Sequence, residues 1–430
     1  MEVRVQKVEL VLKNIGQLVT CAGSEKALRG AEMSAVNMLE NGAVAVAEGK
    51  IVAVGDSAVV LGAYSADSVI DCEGKAVVPG FVDSHTHTVF GGDRVHEFEM
   101  RIQGADYLEI MAAGGGIVST MKHTREASEE SLVESARKRL DQMLALGSTT
   151  VEIKTGYGLD TATELKMLRV VETLDKEHPC SLIPTFLGAH TLPPEYKSDP
   201  AGYVDLVVDE MIPAVAEWYR QSHFPAAGVP IFIDVFTEDH AFDVAQSKRI
   251  LEAGQRAGMQ AKIHVDQFNA FGGTQMAVEL GAVSADHLDV SGPAEIEALA
   301  NSGTICVPLP AANFNLGHDI AAYPNGRAMI DAGCALALAT DLNPGSAPCY
   351  SMPLVMAISN RVLRLTPAET LVASTINGAH ALMLANRVGS IEVGKAADLL
   401  ILKAADWRHL SYFLGGNPVE TVIKNGEVVM

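Results

Sequence analysis

No run of apolar residues in this chain approaches the roughly 18 needed for a membrane span, although 48% of its 430 residues are hydrophobic. Positive charge is also short: 32 Lys and Arg stand against 53 Asp and Glu, a formal net charge of −21. So acidic a chain argues against nucleic acid or an anionic membrane as partner, and the charge reads as a solubility feature. The six cysteines (Cys21, Cys72, Cys180, Cys306, Cys334 and Cys349) show no Cys-x-x-Cys spacing. They read as reduced and mostly buried rather than as a disulfide framework. Residues 1–13 interleave Glu2, Arg4, Lys7 and Glu9 with valines, which is no signal-peptide pattern, so a cytoplasmic location is expected. Internal repeats and low-complexity tracts are absent. Gly114-Gly115-Gly116 lacks the surroundings of a phosphate loop, and reads equally as a mobile flap or a plain flexible loop. What remains is a chain long enough for a large core and a second, smaller domain.

The most telling stretch is Pro79-Gly80-Phe81-Val82-Asp83-Ser84-His85-Thr86-His87. An apolar strand ends there in two histidines at i and i+2, and alternate residues of a strand share a face. Both imidazoles can therefore reach one point, as two metal ligands must. His190, His264, His287 and Asp341 each follow an apolar, strand-like run of their own.

Two styles of pattern alternate. Residues 3–78 read as short strands and turns, including a pair at 43–47 and 51–54 around Glu48-Gly49-Lys50. The last forty residues return to that style, with an Asn425-Gly426 hairpin signal between 419–424 and 427–429. The expected division is a composite β domain of 1–78 plus 388–430 around a unit at 79–387. That middle unit contains strand candidates at 77–83, 149–154, 181–187, 231–235, 260–265, 283–286, 304–307 and 335–339. Helical patterns separate many of them, at 131–146, 162–177, 203–222, 241–257 and 294–301. Eight strands alternating with helices predict an α/β fold: a (β/α)8 TIM-like barrel beside a smaller β-sandwich built from both termini. Function in such a barrel gathers where the strands run out. His85 and His87 follow strand one, Tyr157 strand two, His190 strand three, His264 strand five, His287 strand six and Asp341 strand eight. His123, His178, His223 and His409 fall in helices or outer loops and read as surface residues.

The Pro79–His87 motif, the split β domain and the Asp after strand eight resemble the amidohydrolase superfamily. Within it, several stretches resemble the imidazolonepropionases of histidine degradation: Val89-Phe90-Gly91-Gly92-Asp93-Arg94, Gly114-Gly115-Gly116-Ile117, Glu152-Ile153-Lys154-Thr155-Gly156-Tyr157-Gly158, Gly188-Ala189-His190, Ser284-Ala285-Asp286-His287-Leu288 and Ala339-Thr340-Asp341-Leu342-Asn343-Pro344-Gly345-Ser346. The resemblance spans essentially the whole chain. It implies hydrolysis of the cyclic amide of 4-imidazolone-5-propanoate to N-formimidoyl-L-glutamate. It also implies one Zn2+ or Fe ion per subunit, held by His85, His87, His264 and Asp341, with Asp341 also taking a proton from water. His190 and His287 are the groups to polarise the ring carbonyl or to pass a proton, in either assignment. Arg94 suits the propanoate, since a guanidinium holds a carboxylate bidentately. Tyr157, Tyr107, Asn343, Gly345 and Ser346 are further substrate-binding candidates.

Lys154 ends a strand, as does the carbamylated lysine of some two-metal relatives, but the family it resembles does not use one and a structural role is expected. Gln267 stands where related deaminases place a carboxylate. It cannot ionise, which disfavours deamination, but it can hydrogen-bond a lactam. Residues 309–318, after strand seven, differ from the more aromatic family pattern and bear on the exact substrate. The alternatives are another cyclic-amide hydrolase with the same metal chemistry, and a non-catalytic scaffold, which would be expected to lose ligands. A homodimer acting on a small molecule is expected.

Overall fold

The computed structural model describes residues 5–23, 25–105, 109 and 114–430. Strands β1 (Gln6–Val19), β2 (Met38–Ala47), β3 (Lys50–Asp56), β4 (Tyr64–Asp71) and β5 (Ala76–Pro79) open the chain. The middle contributes β6 (Phe81–Asp83), β7 (Ser148–Lys154), β8 (Ser181–Ala189), β9 (Phe232–Thr237), β10 (Gln260–Val265), β11 (Ser284–His287) and β12 (Ile305–Val307). The end supplies β13 (Leu399–Leu402), β14 (Val419–Lys424) and β15 (Glu427–Val428). Among the described residues these form two sheets, one of β1–β5 with β13–β15 and one of β6–β12.

Both ends of the chain meet through β5, which runs parallel to β1 and antiparallel to β13. The two hairpins turn as their residues require. Glu48 and Gly49 (φ 51° and 72°) join β2 to β3, and Asn425 and Gly426 (φ 49° and 79°) join β14 to β15. Such left-handed pairs match the twist of the flanking strands. Leu12, Ile15, Val44, Val77, Leu399, Ile401 and Ile423 then bury their side chains in one cluster. Burial of this apolar surface is what ties the distant termini together.

The second sheet is wholly parallel, in the order β6 to β12. Two details differ from expectation. The strand expected at 77–83 is split at Gly80 between the two sheets. The Gly80 N–H goes to the Asp398 carbonyl, and a Cβ there would lie 2.3 Å from Thr149 Oγ1. The strand expected at 335–339 is not regular either. Leu336 bridges Cys306, but Leu338 N–H donates to the Ala373 carbonyl and Val82 N–H to that of Ser374. The C-terminus of the helix Pro367–Ala373 thus takes the ladder donors of both neighbours. Backbone pairing closes the ring at its rim, where Asp341 N–H donates to His85 and His87 N–H to Leu342. The result is the TIM-like barrel with a terminal β domain.

Helices cover the barrel as their apolar stripes dictate. Glu129–Ala145 starts at Ser128, whose hydroxyl accepts the Ser131 N–H, and buries Leu132, Ala136, Leu140, Met143 and Leu144. It ends before Gly147, which takes the left-handed φ of 99°. The helix expected at 203–222 contains a wider π turn at Val207–Met211, just before Pro213, which has no N–H to continue the ladder. His178, expected at the surface, is buried: its Nδ1 accepts the Cys180 N–H and its Nε2 lies 3.3 Å from Asp141. Among the described residues, no helix is long and apolar enough to cross a membrane.

Candidate active site at the barrel mouth

His85 and His87 lie just past β6, His264 lies in β10, and Asp341 lies in the closing segment. Their ring nitrogens converge: donor atoms of the three histidines all lie within 4.8 Å of one another. His87 Nε2 is 3.4 Å from His264 Nε2, and Asp341 Oδ1 is 3.5 Å from His85 Nε2 and 3.6 Å from His87 Nε2. All four side chains are buried, yet His85 Nε2 and Asp341 Oδ2 have no hydrogen-bond partner. Buried polar atoms left without partners are costly, so a shared cation is the natural occupant of this cluster. Burial holds His85 and His87 well below the usual histidine range, leaving neutral imidazoles with lone pairs to offer. Three nitrogens and one carboxylate oxygen suit Zn2+ or Fe.

Carboxylates lie beneath the outward-facing nitrogens of His85 and His264. His85 Nδ1 donates to Asp286 Oδ2 at 2.6 Å, and His264 Nδ1 is 3.0 Å from Asp234 Oδ2. Burial alone would raise Asp234, but His264 and Lys154 carry it well below the usual carboxylate range. Lys154 Nζ pairs with Asp234 (2.7 Å) and Glu152 (2.8 Å), and Lys262 Nζ with Glu152 (3.1 Å). Lys154 is therefore an ammonium locked among carboxylates, as its structural reading anticipated. Burial works against that charge, but Asp234 and Glu152 outweigh it.

A cavity of about 390 Å³ opens above this point. Its wall includes His87, Arg94, Tyr157, His190, His264, Gln267, His287, Asp341, Asn343, Gly345 and Ser346. Every described candidate therefore lies at or beneath one cavity; Tyr107 falls outside the described residues. His190 stacks on His87 with ring centroids 5.1 Å apart, and its Nδ1–H donates to the Gly156 carbonyl. Burial lowers its pKa to about 3, so its Nε2 presents a lone pair. His287 Nδ1 has no partner. Tyr157 stays protonated because burial raises its pKa. Its loop is fixed by the buried Glu164 carboxylate, which accepts from Gly156, Gly158 and Leu159 N–H. Arg94 Nε donates to Thr120 Oγ1 at 2.8 Å. The Asn343 amide is used within its own loop: Oδ1 accepts from Gly345 and Ser346 N–H, and Nδ2 donates to Asp341 O and Ser346 Oγ. Asn343 thereby shapes the loop that presents Gly345 and Ser346. Gly116, from the triple-glycine stretch, lines the cavity and donates its N–H to Glu97 at 2.8 Å.

Strain concentrates here. Asp266, His287, Leu288 and Asp341 all take positive φ at strand ends, a conformation L-residues resist. Cross-links hold it, among them Leu288 N–H to the Val265 carbonyl and Val290 N–H to that of Asp266. Sequence reasoning missed Asp286, Asp234, Glu152 and Lys262. Their signal was alternation: charged residues at inward positions of otherwise apolar strands. His240 and His318 also line the cavity without having been singled out.

A barrel that aims three imidazoles and a carboxylate at one buried point has the architecture of a metal-dependent amidohydrolase. A model of the Amidohydrolase family matches residues 237–429, and the fold is shared with solved structures. Guanine deaminase of E. coli superposes with a TM-score of 0.72 at 16% identity, over 98% of this chain and 99% of that one. The zinc-bound adenosine deaminase of Xanthomonas campestris does so with a TM-score of 0.71 at 20% identity, over 99% and 93%. Relatives in sequence are far nearer. Imidazolonepropionase of Chloroflexus aggregans is 51% identical over 422 residues, 98% of each chain. That of Herpetosiphon aurantiacus is 52% identical over 419 residues, 97% of this chain and 96% of that one. The chain belongs to the imidazolonepropionase family.

Proposed function

We propose that this protein hydrolyses the cyclic amide of 4-imidazolone-5-propanoate to N-formimidoyl-L-glutamate, a step of histidine degradation. The observation that carries the reading is the convergence of His85, His87, His264 and Asp341 in a chain about half identical to imidazolonepropionases over nearly its whole length. One Zn2+ or Fe ion per subunit is the cofactor these residues would hold. When bound, it supplies Lewis acidity and lowers the pKa of a water toward about 7.

The chain's own residues supply the rest. Arg94 grips the propanoate and so sets the ring over the four ligands. Asp341 takes a proton from the attacking water as the new C–O bond forms. His287 donates to the ring carbonyl as negative charge grows there. Asp341 then gives its proton to the ring nitrogen as the amide C–N bond breaks. His190, with its lone pair facing the cavity, accepts from a ring N–H, and the Gln267 amide bonds the amidine edge. Asp286 and Asp234 keep His85 and His264 in the tautomer that turns Nε2 inward.

The test is an assay with freshly generated imidazolonepropanoate, following loss of its ultraviolet absorbance, together with the metal content of the purified protein. Turnover with near-stoichiometric zinc or iron is expected. Metal without turnover would favour another cyclic amide, and neither would favour a scaffold. A cytoplasmic homodimer completes the proposal, and light scattering of the purified protein tests the dimer.

A further inference from the structure

The proposed substrate is an anion, and the chain it must approach carries a net charge of −21. Long-range repulsion opposes that encounter unless the cavity inverts the sign locally. The helix Val95–Ile102 has a residue for this task. Arg94, Glu97, Arg101 and Ala105 recur every three or four residues and all line the cavity, so one stripe of the segment is cavity wall. The opposite flank is outward, with Val95, Phe98 and Ile102 exposed. Arg94 is engaged by Thr120 and lies 3.9 Å from Glu97. Arg101 stands about 10 Å farther along the helix axis. It is half-buried, and among the described residues no carboxylate or hydrogen-bond acceptor engages its guanidinium. The cavity's other basic rim groups are occupied: His240 pairs with Asp239 at 3.0 Å, and His318 meets Asn313 at 3.4 Å. A cation partly removed from water is costly unless an anion compensates it, and here the entering ligand can do so.

We infer that Arg101 is a capture residue for the substrate carboxylate, making the first charged contact in the cavity before Arg94 takes over. The inference rests on the functional reading above. The experiment measures kcat/KM for wild type, Arg101→Gln and Arg101→Lys as ionic strength rises from about 0.01 M to about 1 M, shrinking the screening length from roughly 30 Å to roughly 3 Å. Arg101→Gln is expected to lose about tenfold in kcat/KM at low salt, to keep kcat within about twofold, and to show a flatter salt dependence. Arg101→Lys should restore most of the loss, because it restores the charge. Wild type and variant should bind alike an analogue lacking the propanoate. Arg101→Met, which keeps the aliphatic stem, gives the same reading should glutamine disturb the helix. A wild-type salt slope and kcat/KM in Arg101→Gln would overturn the assignment, as would loss of kcat at constant KM. Absence of wild-type turnover would overturn the functional reading and this assignment with it.

Discussion

Gly345→Ala adds a single methyl group, and the structure says where it lands. A Cβ at this position would sit 2.3 Å from Arg94 Nη1 and 3.1 Å from its Cζ. The backbone φ of Gly345 lies outside the left-handed region, so alanine meets no conformational penalty there. Its N–H bond to Asn343 Oδ1 survives as well. The whole cost therefore falls on the Arg94 guanidinium, which cannot slide away freely because Nε is tied to Thr120. In the proposed substrate complex, displacing it would weaken one or two charge-assisted hydrogen bonds to the propanoate, worth about 1.5–3 kcal/mol. At 1.4 kcal/mol per factor of ten, KM should rise roughly ten- to hundredfold. The carboxylate carries the same charge in ground and transition states, so kcat should change little. Steady-state kinetics on wild type, Gly345→Ala, Arg94→Met and the double variant decide the matter. If the methyl acts through Arg94, it adds almost nothing once Arg94 is methionine. An equal KM increase in the Arg94→Met background would refute the reasoning, and so would a loss confined to kcat.

Three further outcomes are expected. Asp286→Ala removes the acceptor of His85 Nδ1 and should weaken metal affinity about 10- to 100-fold, measured by competition with a chromophoric chelator; added metal should recover part of the turnover. Asp341→Asn should abolish turnover while its thermal midpoint stays near wild type, because Asp341 lies at the rim rather than in the packed barrel; full activity would remove Asp341 from the proton-accepting role. Burial raises Asp289 to about 8, so the folded state holds a proton that the unfolded chain gives up near 3.9. Its contribution is full below pH 4 and is lost as pH climbs toward 8. Asp289→Asn, which mimics the neutral acid, should therefore gain thermal midpoint over wild type at pH 8 relative to pH 5, and a constant difference would show that Asp289 is ionised in the fold.

Much of this protein could be read from local pattern. The period-two apolar runs, the Asn425-Gly426 turn and the stop at Gly147 are encoded by a few adjacent residues each, because backbone sterics act over that range. The His85-x-His87 pair was legible for the same reason: a strand places alternate side chains on one face whatever surrounds it. The position of each further candidate at the end of an apolar run was enough to gather them at one mouth, given a parallel barrel. Resemblance to imidazolonepropionases then supplied the substrate.

Other features depended on partners distant in sequence. Nothing near residue 338 announces that Ala373 will take its N–H, so the eighth strand looked regular until the helix end was seen between its neighbours. Gly80 breaks a continuous apolar run because Thr149 and Asp398 approach it from two different sheets. The carboxylates beneath the site behave likewise. Asp286 orients His85 across 201 residues, and Lys154 is a buried ammonium only because Asp234 and Glu152 face it. By itself the sequence determined most of the strand segments, where their polar ends fall and which chemistry those ends can offer. Tertiary structure decided which polar groups lose water, which of them then meet a partner and which are left to bind a ligand, since the energy of a buried charge is set by what faces it across the barrel.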